Sequence, residues 1–371
     1  MKKKLLSALL CIATITTLLT GCGSSSTSDT TQGETSDVTT TAGQYELALV
    51  TDLGTIDDKA FNQGAWEGLE AYATEAGVTY KYYQPQEGTT DAYLETIALA
   101  IEGGAQLIVC PGYLFEEPVY LAQDLYPDVH FILLDGEPHS ADYSDYTTAD
   151  NTMAILFKED QAGYLAGYAA VKDGYTKLGF MGGMAVPAVV RFGYGYVQGA
   201  DAAAAEMGVE IEMVYHYTGE FAATPEAQSM AASWYQSGTQ VIFGCGGAVG
   251  NSVMAAAEAE GTAVIGVDID QSVESDTVIT SSMKMLSVSV YDGIKAHYEG
   301  TFPGGSTSVF TAENGGVGLP METSKFEVFT QADYDEIYEK LASNEITLYD
   351  SYEDGTTADI AVTNTTTTYV D

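Results

Sequence analysis

Basic residues are scarce in this sequence. It has 13 Lys and Arg residues against 53 Asp and Glu, which gives a formal net charge of −40. Proteins that bind nucleic acids neutralise phosphates with a basic face, and this chain has no basic stripe that could do so. The shortage of positive charge therefore excludes nucleic acid as a partner, and the acidic balance favours solubility.

Cysteine and histidine are also scarce, with four residues of each. Cys110 and Cys245 each end an apolar run, in different halves of the chain, so we predict two small buried residues and no disulfide. There is no CxxC motif, and the histidines are scattered at His130, His139, His216 and His297. We therefore expect no metal and no cofactor.

One apolar run has the setting of a targeting segment. Residues 5–19 follow Met1 and three lysines, and they are too short and too rich in Thr for a membrane span. The letters LTGC then end at Cys22, like the cleavage site of a bacterial lipoprotein. We predict a signal peptide over residues 1–21 and a lipid on Cys22; an ordinary secretory signal with an incidental cysteine is the alternative.

The next segment lacks the composition of a folded domain. More than half of residues 23–44 are Ser or Thr, and none is aromatic. Such a segment cannot bury enough apolar surface to fold, so residues 22–44 are predicted to be a flexible tether. Together with Cys22 they predict a protein anchored by lipid to the cell membrane, on its extracytoplasmic face.

From residue 45 onward, short apolar runs alternate with longer segments of helical period. The predicted strands are 45–50, 78–83, 106–110, 130–135, 177–181, 209–215, 240–244, 263–268 and 277–284. The predicted helices are 60–76, 91–102, 117–125, 157–172, 190–207, 225–236, 249–260, 288–298 and 333–341. Repeated βα units indicate parallel sheets with helices on both faces. The sequence thus predicts an α/β fold of two doubly wound lobes with a hinge and an interlobe cleft.

The domain boundaries follow the point where this pattern restarts. Lobe 1 is predicted to comprise residues 45–153 and about 285–310, and lobe 2 residues 154–284 and about 311–350. Hinge strands are expected near 151–156 and 284–286. The Thr-rich tail, residues 351–371, has no firm structural prediction.

Candidate binding residues follow the predicted strands, because ligands of doubly wound sheets bind beyond the carboxyl ends of the strands. Lobe 1 contributes Asp57, Asp58, Phe61, Asn62 and Asp135, and lobe 2 contributes Phe192, Phe221, Gly246, Gly247, Asp268 and Lys284. Aromatic rings stack on flat rings, and carboxylates with a lysine hold paired hydroxyls. This set favours a flat heterocycle attached to a polyhydroxyl unit. Each residue also has a structural interpretation: the paired aspartates as helix caps, and the phenylalanines as core.

Arg191 is the only arginine in the chain. In so acidic a protein a cation beside the predicted cleft is a candidate ligand contact. An intramolecular salt bridge is the alternative, and the sequence does not decide between the two.

Five blocks of the sequence resemble the signature blocks of the basic membrane protein family, the purine-nucleoside-binding lipoproteins similar to PnrA. They are 52-DLGTIDDKAFNQGAWEGL-69, 157-FKEDQAGYLAGYAA-170, 243-FGCGGAVGNSV-253, 264-VIGVDIDQ-271 and 280-TSSMK-284, with order and spacing kept. The resemblance covers about residues 45–300. It implies a type I periplasmic-binding-protein-like fold that serves an ABC permease in the membrane. The ligand it implies is a purine nucleoside of the inosine, guanosine or adenosine class.

The resemblance also implies residue roles. Phe61 would stack on the base beside Asn62, Asp135 would touch the base edge, and Asp268 with Lys284 would hold the ribose. The second stacking aromatic is Phe221, with Phe192 as its rival. Two departures stand out: the chain is strongly acidic, and Ala60 replaces the Ser usual in relatives. We expect a monomer.

Other functions fit less well. A sugar or an autoinducer-type ligand, bound by the same fold, is the principal alternative. Gly244, Gly246 and Gly250 loosely resemble a dinucleotide fingerprint, but their spacing is one residue off the common form. Asp52, Asp57 and Asp58 could serve a hydrolase, yet no nucleophile motif accompanies them. A repressor would need a helix-turn-helix and basic charge. We therefore predict a binding protein and not an enzyme.

Overall fold

The computed structural model describes residues 44–350, 357 and 360–370. The predictions for the signal peptide, for Cys22 and for the tether up to residue 43 lie outside these residues. Within the described part of the chain, no helix is long and apolar enough to cross a membrane.

Strands and helices alternate along the described chain. The strands are β1 (Leu47–Val50), β2 (Tyr80–Tyr83), β3 (Leu107–Pro111), β4 (His130–Leu134), β5 (Thr152–Phe157), β6 (Lys177–Gly182), β7 (Ile211–Tyr217), β8 (Val241–Cys245), β9 (Ala263–Asp268), β10 (Val278–Lys284), β11 (Ser306–Phe310), β12 (Val317–Gly318) and β13 (Thr365–Tyr369). The helices are α1 (Phe61–Ala76), α2 (Thr90–Glu102), α3 (Glu116–Leu125), α4 (Glu159–Lys172), α5 (Pro187–Met207), α6 (Pro225–Gln236), α7 (Val249–Glu260), α8 (Leu286–Glu299) and α9 (Gln331–Ala342).

The strands form two sheets, which define two lobes. The sheet of lobe 1 has the order β11-β5-β4-β3-β1-β2, and that of lobe 2 the order β12-β10-β9-β8-β6-β7-β13. Every pairing is parallel except that of β12 with β10. The predicted α/β class with two doubly wound lobes is confirmed. The apolar central strands, such as β3 and β8, are buried along their whole length, as sheets covered on both faces require.

The chain passes between the lobes three times. It leaves lobe 1 after β5, returns after β10 through α8, which packs on α1, and leaves again after β11. β5 pairs with lobe 1 as far as Phe157, so the sequence boundary at residue 153 falls inside a strand. Lys284, the last residue of β10, therefore stands at one of these crossings.

Helix ends follow local sequence signals. Thr224 caps α6 by accepting from the Ala227 amide, and Pro225 occupies the first helical position. Thr330 and Asp333 form a reciprocal capping box at α9. Gly208 ends α5 in the left-handed conformation (φ 67°), where a side chain would be strained. These signals explain why the predicted helices lie within a few residues of the observed ones.

α4 and α5 pack backbone to backbone through four glycines. A Cβ on Gly163 or Gly167 would lie about 2 Å from a carbonyl oxygen of α5, at 2.1 and 2.2 Å respectively. A Cβ on Gly195 or Gly199 would lie 1.9 or 2.0 Å from a carbonyl oxygen of α4. No side chain fits at these distances, so the crossing depends on glycine at all four positions.

We predict that Gly195→Ala destabilises the protein by about 1–3 kcal/mol or more, because its Cβ would clash with the Asp160 carbonyl and force the helices apart. Urea unfolding followed by circular dichroism measures the change. Ala205→Val, on the exposed side of the same helix, is the matched control and should change stability by only tenths of a kcal/mol. Equal stabilities of G195A and the wild type would contradict the close packing.

Candidate functional site

A cavity of about 520 Å³ lies between the lobes, at the carboxyl ends of their strands. This volume falls within the range of about 300–1,000 Å³ typical of ligand pockets. Ten of the eleven residues predicted from strand ends line it: Asp58, Phe61, Asn62, Asp135, Phe192, Phe221, Gly246, Gly247, Asp268 and Lys284. Asp57 is exposed and does not line the cavity, because the turn before α1 directs Asp58 inward instead.

Lys284 is the centre of the polar part of the site. Its Nζ lies 2.6 Å from Asp135 Oδ2, at the end of β4, and 3.2 Å from Asp268 Oδ1, at the end of β9. Glu159 Oε1, from the start of α4, is 3.9 Å away. One ammonium is thus shared by three carboxylates that come from both lobes. All four side chains are almost completely buried.

Aromatic rings surround the same ammonium. Lys284 Nζ lies 4.3 Å from the ring centroid of Phe61, 5.4 Å from that of Phe192 and 5.5 Å from that of Phe157. A cation over a ring face at such distances is attracted by the ring quadrupole, more strongly when it is shielded from water. The rings therefore stabilise the ammonium and separate it from solvent.

Burial sets the ionisation of the carboxylates in this cluster. It raises the pKa of Asp135 to about 7; Lys284 opposes the rise, and Glu159 and Asp268 add to it. Burial likewise raises the pKa of Asp268 against the pull of Lys284. For Lys284 burial lowers the pKa, but the three carboxylates outweigh burial and the net direction is upward. Lys284 therefore stays charged, and the three carboxylates share this one positive charge.

Glu159 belongs to this cluster, although strand-end reasoning missed it. Its side chain is fully buried, and its Oε2 accepts a 2.7 Å hydrogen bond from Arg191 Nε on α5. Arg191 is thus the partner of an internal salt bridge, the alternative interpretation of the lone arginine, and it does not line the cavity. Glu159 is the first residue of α4, directly after β5, where the chain passes from lobe 1 to lobe 2. This position in the chain is the only sequence signal that would have predicted its place in the cluster.

The wall from lobe 1 is a hydrogen-bonded group of acids and an amide. Asp58 accepts from the backbone amides of Ala60, Asn62 and Gln63 at 2.9, 3.0 and 3.1 Å. It thus binds amides at the start of α1, although the N-cap position itself is Ala60 and not an aspartate as predicted. The Asn62 side-chain nitrogen donates to Asp52 at 2.9 Å and to Asp58 at 3.1 Å. Its Oδ1 is buried without a hydrogen-bond partner among the described residues. The group therefore presents acceptors to the cavity.

Two aromatic candidates from lobe 2 occupy different positions. Phe192 lies within α5, the helix that follows β6, and it is only 2 % exposed. Phe221 is half-buried in the loop after β7. The Phe221 ring lies so close to Gly183 that a Cβ on this glycine would be 2.5 Å from the ring. Phe221 also neighbours Gly246 and Gly247. The two glycines predicted to admit a ligand thus make room for the Phe221 ring.

Two of the carboxylates stand on unusual backbone. Asp135 has φ 58° and Asp268 has φ 67°, in the left-handed region that residues with a side chain rarely adopt. Aspartate tolerates this region better than most residues. Each residue directly follows or ends a strand, so the turn aims the carboxylate at Lys284. Strain of this kind is concentrated at functional sites.

The cysteines and histidines complete the comparison with the sequence predictions. Cys110 and Cys245 are both free and buried, as predicted, and Cys245 also lines the cavity. The histidines are less scattered than the sequence indicates: the Nδ1 atoms of His130 and His297 lie 2.8 Å apart. In the described residues, no group of three or more His, Cys, Asp or Glu side chains could hold a metal ion.

A ligand-sized cavity between two parallel-sheet lobes joined by crossing segments defines a solute-binding protein of the type I periplasmic-binding class. A solved solute-binding protein of an ABC transporter system from Aeropyrum pernix supports this class, with a TM-score of 0.72 and 25% identity. The match covers 84% of this chain and 94% of that one. The chain belongs to the Bmp family of PnrA-like ABC transporter substrate-binding proteins, whose family model matches residues 45–351.

Curated relatives agree with this membership. The ABC transporter nucleoside-binding protein BmpA of Lactococcus lactis is 30% identical over 88% of this chain and 94% of its own length. An uncharacterized lipoprotein of Pyrococcus abyssi is 29% identical over 76% of this chain and 71% of its own length. The resemblance seen in the five sequence blocks is confirmed. The substrate-binding family is not a class of enzymes.

We predict that Asp135 makes stability depend on pH. Its pKa is raised from 3.8 to about 7, so the folded state binds the proton more tightly than the unfolded state. The contribution of such a group is largest below its ordinary pKa and is lost as pH rises through the folded value. The unfolding free energy of the wild type minus that of Asp135→Asn should therefore fall between pH 4 and about 7.

Urea unfolding of both proteins at several pH values measures this difference. A difference that rises with pH over the same window would contradict the expectation, because it would mean that Lys284 outweighs burial at Asp135. Asp276→Asn, which changes an exposed carboxylate outside the cavity, should show no such trend.

Proposed function

We propose that this protein captures a purine nucleoside in the interlobe cavity and delivers it to an ABC permease. The observation that carries the proposal is the pairing of an aromatic wall with a shared ammonium in one cavity. Phe61 comes from lobe 1 and Phe221 from lobe 2, and both line the cavity that holds Asp268 and Lys284. A nucleoside has the matching parts, a flat base and a ribose with neighbouring hydroxyls.

The base would lie against aromatic rings. Stacking of a base on an aromatic side chain contributes about 1–3 kcal/mol. Phe61 is half-buried and lines the cavity at the start of α1. Since the Lys284 ammonium lies over one face of its ring, the base would stack on the other face. Phe221 is the better second platform, since Phe192 is almost fully buried in its helix. Asn62 and Asp135 would accept hydrogen bonds from the base edge.

The ribose would lie at the ammonium. Asp268 offers carboxylate oxygens that accept from hydroxyl groups, and Lys284 donates to hydroxyl oxygens. Asp135 Oδ1 is buried and accepts no hydrogen bond from the described residues, whereas Asp268 Oδ1 has the Lys284 ammonium 3.2 Å away. The base edge would supply the donor that Asp135 lacks and the ribose hydroxyls would donate to Asp268, and a buried acceptor left unpaired costs about 1–3 kcal/mol. The same residues that join the lobes would thus stabilise the bound ligand.

The charge of the cavity favours a neutral ligand over a phosphorylated one. Five carboxylate residues line it, namely Asp52, Asp58, Asp135, Asp268 and Glu220. Among the described lining residues Lys284 is the only basic one, and it is already engaged. A nucleotide phosphate would meet carboxylates without a free cation, so nucleosides should bind in preference to their monophosphates.

The mechanism is capture without covalent chemistry. Ligand would enter between open lobes, the lobes would close at the three crossings, and the closed form would present itself to the permease. Lipid on Cys22 and the Ser/Thr-rich segment would hold the protein at the extracytoplasmic face of the membrane. The lipoprotein name of the Pyrococcus relative supports this location. A monomer suffices for this cycle.

Titration calorimetry with a panel of ligands tests the proposal. Inosine, guanosine and adenosine should bind, whereas ribose, hypoxanthine and inosine monophosphate should bind at least tenfold more weakly. Tight binding of ribose or another sugar, with no binding of nucleosides, would overturn the proposal and favour a sugar-binding protein. Release of free hypoxanthine from inosine would instead show an enzyme.

We predict that Asp268→Asn weakens nucleoside binding about 10- to 100-fold, because a hydrogen bond to a charged group contributes about 1.5–3 kcal/mol. The loss should be smaller for a nucleoside that lacks the 2′-hydroxyl, which measures the contact directly. Asp276→Asn is the control, since this exposed carboxylate lies outside the cavity. Equal affinities of D268N and the wild type would refute the role of Asp268 at the ribose.

A further inference from the structure

A second set of contacts joins the lobes outside the cavity. Lys59, in the turn between β1 and α1, forms a salt bridge with Glu274, in the loop between β9 and β10. The Lys59 side chain is 45% exposed and that of Glu274 is 17% exposed. Neither residue lines the cavity. This ion pair can therefore act on the lobes without touching a ligand.

Gln271 adds a partly buried hydrogen bond beside this ion pair. Its Nε2 donates to the Lys59 carbonyl at 2.6 Å, across the lobe boundary. The side chain is held in place within lobe 2, since its Oε1 accepts from the Val267 amide at 3.0 Å. Its own amide donates to Ser281 Oγ at 3.0 Å, and the residue is fully buried. Gln271 is thus a fixed donor aimed at lobe 1.

The backbone of Lys59 is shaped to meet this donor. Lys59 has φ 64°, in the left-handed region, where a residue with a side chain is strained. The preceding carbonyl, that of Asp58, accepts from Asn251 Nδ2 of α7 at 3.4 Å. Two successive carbonyls of one strained turn therefore accept from lobe 2, and the Lys59 ammonium pairs with the same lobe.

The two segments that meet here also carry cavity residues. Lys59 follows Asp58, which lines the cavity, and Gln271 lies three residues after Asp268, which also lines it. A ligand that holds Asp58 and Asp268 in place would hold the partners of these interlobe contacts in place as well. Formation of the contacts and retention of the ligand are therefore coupled through short stretches of chain.

We propose that Lys59 and Glu274, with Gln271, form a latch that keeps the lobes closed and slows the release of ligand. The proposal rests on the function proposed above. Contacts made only in the closed arrangement raise the closed population, and the apparent dissociation constant is inversely proportional to that population. Lys59 and Glu274 are thus positioning residues, and their effect should appear in the dissociation rate more than in the association rate.

The test measures inosine association and dissociation by stopped-flow fluorescence with the full-length chain. Lys59→Met and Glu274→Gln should each raise the dissociation rate about 2- to 5-fold, the range expected of a partly exposed ion pair. The double variant should be no worse than either single variant, because the two residues share one interaction. The charge reversal K59E/E274K should restore slow dissociation. Lys295→Met, an exposed lysine of α8, is the control and should change neither rate.

If the Lys59–Glu274 pair had a purely structural role, its removal would lower the stability of the protein without the pattern of dissociation rates described above. Urea unfolding of the ligand-free variants should show little change, since the pair is partly exposed. Dissociation rates equal to that of the wild type, or additive effects in the double variant, would overturn the latch. If the wild type binds no nucleoside, the proposed function fails, and small-angle X-ray scattering then decides on the latch. In that case a radius of gyration larger in K59M/E274Q than in the wild type supports it, and equal radii refute it.

Discussion

The structure depends on one buried ammonium. Lys284 ends a strand at a crossing between the lobes, and it must be neutralised where it stands, because an unpaired buried charge would cost several kcal/mol. Asp135 from lobe 1 and Asp268 from lobe 2 both lie within 3.2 Å of it. Either lobe alone would leave the charge partly unpaired. The cluster therefore fixes the ends of β4, β9 and β10 relative to one another, and the cavity forms around them.

The close packing of α4 on α5 positions a further ion pair beside the Lys284 cluster. Glu159 opens α4 and Arg191 lies in the second turn of α5, and they meet at 2.7 Å. They can meet because the four glycines let the helix backbones approach to a distance that no side chain permits. Arg191 offsets the charge that Glu159 adds beside Asp135 and Asp268. The packing of two helices thus keeps the net charge of the site near what one lysine can balance.

Much of the fold and of the site follows from the sequence, because periodic apolar runs and strand ends are local signals. β13 does not, since its TTTTY sequence has no apolar alternation and only pairing with β7 orders it. Asp57 and Asp58 are adjacent acids, and only the turn decides which one points inward. Glu159 looks like an ordinary helix start, and its burial arises from Arg191 and Lys284, residues distant in the chain. His130 and His297 likewise meet only through the packing of α8 on β4.

For the proposed function, the polar atoms of the cavity give a physical reason for closure around a ligand. Asn62 Oδ1 and Asp135 Oδ1 are buried acceptors that receive no hydrogen bond from the described residues. Each such acceptor raises the free energy of the empty cavity, and access of water to it would remove that cost. In the proposed function a nucleoside brings hydroxyl and ring donors to these oxygens and covers the rings beside them. The closed form then becomes favourable only with a donor-rich, uncharged, flat ligand inside, so that one set of acceptors accounts for both selectivity and closure.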